Sequence, residues 1–142
     1  MIKLRKYIFI LFFSFFLNGN TFAKDSYFLE GKKLFNKKEF IKSKFKFEKD
    51  IVFNPKNEES YLYLAKIFKI KEKDEFEEQN LNTVILLNPT NEEAIYLLTL
   101  LKIKKSNYKK SDELIKTFKK VCKKICTKEK ELTKKLENLQ LR

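Results

Sequence analysis

The stretch Asn54-Pro55-Lys56-Asn57-Glu58-Glu59 returns 34 residues later as Asn88-Pro89-Thr90-Asn91-Glu92-Glu93, with five of the six positions identical. An apolar run precedes each copy, Ile51-Val52-Phe53 and then Ile85-Leu86-Leu87. An aromatic-aliphatic run follows each, Tyr61-Leu62-Tyr63-Leu64 and then Ile95-Tyr96-Leu97-Leu98. A fixed period of this length marks a repeat architecture. The hexamer itself reads as a helix stop followed by a helix start. Asn54 and Asn88 suit the left-handed conformation that ends a helix, and the proline after each cannot continue one. Asn57 and Asn91 then serve as N-caps. The glutamate pairs place negative charge at the positive end of the next helix.

The rest of the chain agrees with a helical reading. Gly and Pro number only 2 each in 142 residues, so few turns are available. Apolar content of 43%, with 15 Phe, can supply a core. No segment alternates with period two, so no strand is expected. Met1 to Ala23 has the layout of a secretory signal, with Lys3, Arg5 and Lys6 ahead of the apolar run Tyr7 to Leu17 and a small-residue site at Thr21-Phe22-Ala23. Cleavage after Ala23 and an uncleaved anchor are the two readings. Either places the remainder outside the cytoplasm, in the periplasm or against the cell envelope.

The formal charge of +13 is unevenly spread. Residues 24–101 carry 14 Lys and 14 acids, whereas residues 102–142 carry 15 Lys or Arg and 5 acids. The excess positive charge beyond the signal therefore lies in the last third. Nucleic acid is a poor partner for an exported chain; an anionic membrane surface or an acidic protein patch fits better.

Phased on Pro55 and Pro89, the repeats span 24–57, 58–91 and 92–125, each a helix pair A and B. Helices are expected at about Ser26–Asn36, Lys38–Phe53, Glu58–Ile70, Asp74–Leu87, Glu92–Lys104 and Asn107–Ile125. A capping helix follows within 127–140. Phe40, Ser43, Phe47 and Ile51 form one apolar stripe, and Leu114, Ile115, Phe118, Val121, Cys122 and Ile125 another. Leu132, Leu136 and Leu139 share a face of the last helix, as a polar-backed cap requires. The fold class is all-α, a short α-solenoid of three helix-turn-helix repeats.

The period, the helix pairs and the terminal Asn-Pro resemble the tetratricopeptide repeat, over about 100 residues. The family pattern has a large residue early in helix A, small residues where the two helices cross, aromatics between, and a proline near the end. In repeat one these places hold Tyr27, Gly31, Leu34, Phe40, Ser43, Phe47 and Pro55. In repeat two they hold Tyr61, Ala65, Phe68, Leu81 and Pro89, and in repeat three Ile95, Thr99, Tyr108, Ser111 and Ile115. Two departures stand out. Repeat two has Glu77 at a small-residue place and Asp74 at an aromatic one, with Phe76 displaced, so its helix B is expected to be shifted, shortened or frayed at its start. Repeat three has Lys123 in place of proline, which fits a helix B running on to Ile125.

Enzymatic chemistry finds few parts. There is no His and no Gly-rich phosphate loop, and the acids sit among lysines as solvated helix faces. No cofactor and no metal site are expected. Cys122 and Cys126, four apart on the expected helix, would have Cα atoms about 6 Å apart. Three readings stay open for them: a disulfide, two buried small hydrophobes, or a redox or metal role.

The resemblance implies a non-enzymatic module that binds another protein on a concave face lined by A helices. The inward places are Asp25, Phe28, Lys32 and Phe35, then Glu59, Leu62, Lys66 and Lys69, then Glu93, Tyr96, Leu100 and Ile103. They make an apolar strip with a basic middle at Lys32, Lys66 and Lys69, suited to a peptide or amphipathic segment. The Lys and Asn pair with which some family members clamp a C-terminal carboxylate is not at these places. In a small array some of these apolar residues equally serve as core. The alternatives are a peripheral membrane protein docking through its basic C-terminal third, and a self-associating structural protein.

Overall fold

A computed structural model describes residues 26–140, and the signal segment, its Ala23 boundary and Asp25 lie outside them. The described residues form seven α-helices and no strand. These are α1 Ser26–Asn36, α2 Phe40–Phe53, α3 Glu58–Ile70, α4 Asp74–Leu87, α5 Glu92–Lys104, α6 Tyr108–Val121 and α7 Lys128–Gln140. Each helix packs on the next, and α7 folds back to touch α5 as well as α6. The starts of α2, α4 and α6 fall at the 34-residue period. Helix B of repeat two is therefore neither shifted nor shortened: α4 has 14 residues, like α2 and α6. Phe76, displaced outward by its position, finds Phe68 instead and stacks on it at 5.1 Å.

The turn inside each repeat is a backbone device repeated three times. Lys38, Glu72 and Ser106 all have positive φ (60, 53 and 56°). After each, an N–H reaches back to the last turn of helix A: Glu39 to the Leu34 carbonyl, Lys73 to Phe68 and Asn107 to Lys102. This is the Schellman closure, built here without glycine. It also explains why α2 begins at Phe40 rather than at Lys38, since Lys38 is the left-handed residue itself.

The turn between repeats differs from the sequence expectation. Neither Asn54 (φ −136°, ψ 65°) nor Asn88 (φ −139°, ψ 92°, extended) is left-handed, because the following proline pushes the preceding residue out of the helical region. Asn91 caps α5 by accepting from the Ala94 N–H at 3.0 Å. Asn57 does not cap α3. Its amide donates to the buried Asp50 carboxylate at 2.7 Å, which also accepts from the Ser60 hydroxyl at 2.6 Å. Val84 and Ala94 replace that acid and hydroxyl one repeat on, which leaves Asn91 free to cap.

Glu58 and Glu92 lock the ends of their own repeats. Glu58 accepts from the Asn88 side chain at 2.9 Å. Repeat three has no Asn-Pro, and there Glu92 accepts directly from the backbone N–H groups of Lys123, Lys124 and Ile125, at 2.8, 3.0 and 3.3 Å. These bonds hold its carboxyl below the usual carboxylate range, the Lys123 N–H contributing most. α6 accordingly stops at Val121 instead of reaching Ile125: Cys122 turns extended, and its disulfide to Cys126 closes the loop around the Glu92 contact. Of the three readings of the cysteines, the disulfide is the one found, in a loop rather than within a helix.

The core has two parts. An aromatic cluster under repeats one and two centres on Phe47, Leu64 and Ile67. A larger aliphatic cluster runs from Leu62 and Leu81 through Ile95 and Phe118 to Leu132 and Leu136 of α7. Gly31 makes the first possible. A Cβ there would stand 2.7 Å from the Phe47 ring, and the Ser43 hydroxyl donates to the Gly31 carbonyl at 2.9 Å. Two outcomes are expected. Gly31→Ala should cost about 1–3 kcal/mol in a denaturant titration, because the buried ring has nowhere to retreat. Lys38→Gly should raise stability by about 0.5–1 kcal/mol by relieving the left-handed backbone; a lower melting temperature would contradict the turn geometry.

Candidate functional site

The inward side chains of the A helices separate into three groups. The first is internal. On α1, Phe28 and Phe35 are half-buried, with Phe35 edge-on to Tyr63 at 5.1 Å and Phe28 edge-on to it at 6.2 Å. Tyr63 in turn stacks on Phe47 at 4.9 Å. Leu62 is buried as well, at 7% exposure. These residues weld repeat one to repeat two, and little of them faces outward.

The second group is ionic. Lys32 faces Glu59 at 3.8 Å, and Lys66 bonds Glu93 at 2.7 Å. The two pairs are the same contact one period apart, from helix A of one repeat to the start of helix A in the next. Each ammonium also lies over an aromatic ring, Lys32 over Phe28 at 5.1 Å and Lys66 over Tyr63 at 4.9 Å. The expected basic middle is thereby mostly neutralised, leaving Lys69 as its exposed, unpaired member among the described residues.

The third group opens a cavity. Lys69, Leu100 and Ile103 come together around a space of about 580 Å³ between α3, α5 and α7. Glu77 of α4, Lys135 and Leu139 of α7 complete the principal walls. Ile103 presents only an edge, being 4% exposed. Tyr96 stands at the other end of the α5–α7 seam. Its hydroxyl donates to Glu131 at 3.2 Å, and Lys128 sits 5.7 Å over its ring. Burial, and then the Glu131 carboxylate, hold its phenol above the ordinary value, so it stays a donor.

Sequence reasoning missed Glu77 and the contribution of α7. Glu77 was visible as a departure from the small-residue pattern, but it suggested a damaged helix rather than a functional side chain. α7 was read as a cap; its side chains in fact form one wall of the cavity. Burial pushes the Glu77 carboxyl up, against the pull of Lys69. Among the described residues, no cluster of three or more Cys, Asp or Glu is placed to hold a metal ion.

No family model matches the sequence, and no curated protein matches it. Solved structures do match in fold. The TPR2B domain of yeast Sti1, solved in complex with pHsp70, aligns with a TM-score of 0.73 at 16% identity, covering 86% of this chain and 100% of that one. The first TPR of Spaghetti (RPAP3), bound to the HSP90 peptide SRMEEVD, aligns at 0.75 and 14% identity, over 85% of this chain and 96% of that one. The Arabidopsis OM64 TPR domain aligns at 0.74 and 19% identity, over 84% and 98%. The fold is that of tetratricopeptide-repeat domains.

The raised Glu77 carboxyl gives a pH signature. A folded-state value above the unfolded one means that the native chain binds the proton more tightly. Stability should therefore fall as pH rises from the ordinary carboxylate range through the raised value, and then level off. In Glu77→Gln that decline should be absent from urea midpoints measured across the same pH range; an unchanged slope would remove Glu77 from the account.

Proposed function

From the tetratricopeptide-repeat fold, we propose that this chain is a non-enzymatic protein–protein interaction module, holding a peptide or helical segment of a partner against the concave face made by α1, α3 and α5. The cavity between α3, α5 and α7 carries this reading. It is open to solvent, it combines apolar walls with a few charges, and it gathers three of the inward residues. The Spaghetti domain bound to an HSP90 peptide and the Sti1 domain in complex with pHsp70 lend support, since each is a domain of the same fold holding a partner.

The setting is the cell envelope, reached through the signal at Met1 to Ala23. The Cys122–Cys126 bridge supports an oxidising compartment. The docking surface is asymmetric. Phe28, Phe35 and Leu62 hold the array together, while Lys69, Tyr96, Leu100 and Ile103 border the seam where a segment can lie.

Capture from envelope extract tests this. The full chain is immobilised beside a Lys69→Ala, Leu100→Ala variant whose melting remains cooperative. A specific partner should bind the parent and be weakened by about 2 kcal/mol, roughly thirtyfold, in the variant. Equal capture by both would move the site off the concave face.

A further inference from the structure

The first turn of α4 carries a carboxylate where the other two repeats carry a serine. Ser43 and Ser111 are fully buried, and their hydroxyls are satisfied by carbonyls, of Gly31 at 2.9 Å and of Asn107 at 2.8 Å. Glu77 is nearly as enclosed, at 4% exposure. Yet its carboxylate takes part in none of the hydrogen bonds or ion pairs among the described residues, and it borders the cavity. Two of the cavity's three lysines are engaged elsewhere, Lys104 with Asp74 at 2.7 Å and Lys135 with Glu131 at 3.6 Å; Lys69 is unpaired among the described residues and acts on Glu77 through space, without a hydrogen bond or ion pair to it. Lys69 and Glu72 stand exposed at the rim.

We propose that the cavity receives a long basic side chain, lysine or arginine, presented by the partner segment, with Glu77 as its counter-ion and Leu100, Ile103 and Leu139 gripping its methylene stem. This rests on the concave-face reading and names what that face selects. A carboxylate at the wall of an enclosed cavity, with no hydrogen bond or ion pair to it among the described residues, gains charge-assisted hydrogen bonds from an entering ammonium or guanidinium. The stem of such a side chain is apolar, which matches walls of Leu and Ile. A carboxylate-bearing ligand would meet the opposite situation. Glu77 would repel it, and of the lysines that line the cavity Lys104 and Lys135 are occupied by Asp74 and Glu131, which leaves Lys69 alone, exposed at the rim.

The test uses the full chain, isotope-labelled, and three small probes read by NMR titration: n-butylammonium, which copies a lysine side chain, n-butanol and n-butyrate. Butylammonium should shift the amides around Glu77, Leu100 and Ile103 saturably, about tenfold more tightly than butanol, with butyrate weaker still. Glu77→Gln, equal in shape, should remove that preference. Equal binding of butylammonium and butanol, preference for butyrate, or an unchanged preference in Glu77→Gln would each overturn the proposal. The underlying reading fails differently. A partner lost on the Lys69→Ala, Leu100→Ala change but bound equally by Glu77→Gln would keep the concave face and discard the basic-side-chain pocket. Glu77-dependent butylammonium binding, with no partner sensitive to the groove, would support the pocket and discard the face.

Discussion

Two helices of a repeat can lie close only where their crossing carries little side chain, and the rest of the molecule follows from that limit. Gly31 against Phe47, Ser43 against the Gly31 backbone, and Thr99 and Ser111 in repeat three all meet it with small or self-satisfied groups. Repeat two meets it on one helix only. Ala65 is small enough that the crossing still closes, and Glu77, nearly buried, borders the cavity. The site and the packing rule are thus connected. The candidate pocket lies where one repeat holds a residue that the rule would not choose.

Stacking of repeats uses a second set of contacts, and these also shape the function. Glu58 and Glu92 reach about one period forward to hold the end of their own helix B. Lys32 with Glu59, and Lys66 with Glu93, tie successive A helices across the inner face. Exposed pairs of this kind add little stability individually. Their larger effect is on the groove, where two of the three inward cations are spent on the neighbouring repeat and Lys69 alone is held out to a ligand. The face that remains is nearly neutral, with one enclosed carboxylate at its floor.

Charge is distributed differently on the outer surface. Ile41 and Val52 on α2 are 75% and 74% exposed, whereas the equivalent places on α6 are Lys109 and Lys120. The outer face therefore passes from apolar in repeat one to basic in repeat three, while the length of helix B and the turn inside each repeat stay constant. The three left-handed residues explain that constancy. A backbone closure that needs no particular side chain lets Lys38, Glu72 and Ser106 serve equally, and leaves the faces free to diverge.

The repeat, the helix pairing and most helix limits were legible in the chain, because Asn-Pro and the capping acids act within a few residues of where they stand. Local chemistry also pointed to Glu77 as an exception. Its consequence was not legible, since whether an out-of-place acid breaks a helix or enters a cavity depends on what α5 and α7 place opposite it. The same holds for Asn57, drawn from its cap by Asp50, and for Lys32 and Lys66, whose partners lie a repeat away. Helix α6 stopped early because a disulfide and the Glu92 carboxylate, 31 to 33 residues back, claim the loop after it. The sequence by itself determined an all-helical array of period 34, since helix stops and starts are set by neighbouring residues. Only the tertiary structure decided which inward side chains are core, which are paired and which border a pocket, because those outcomes depend on groups brought together across repeats.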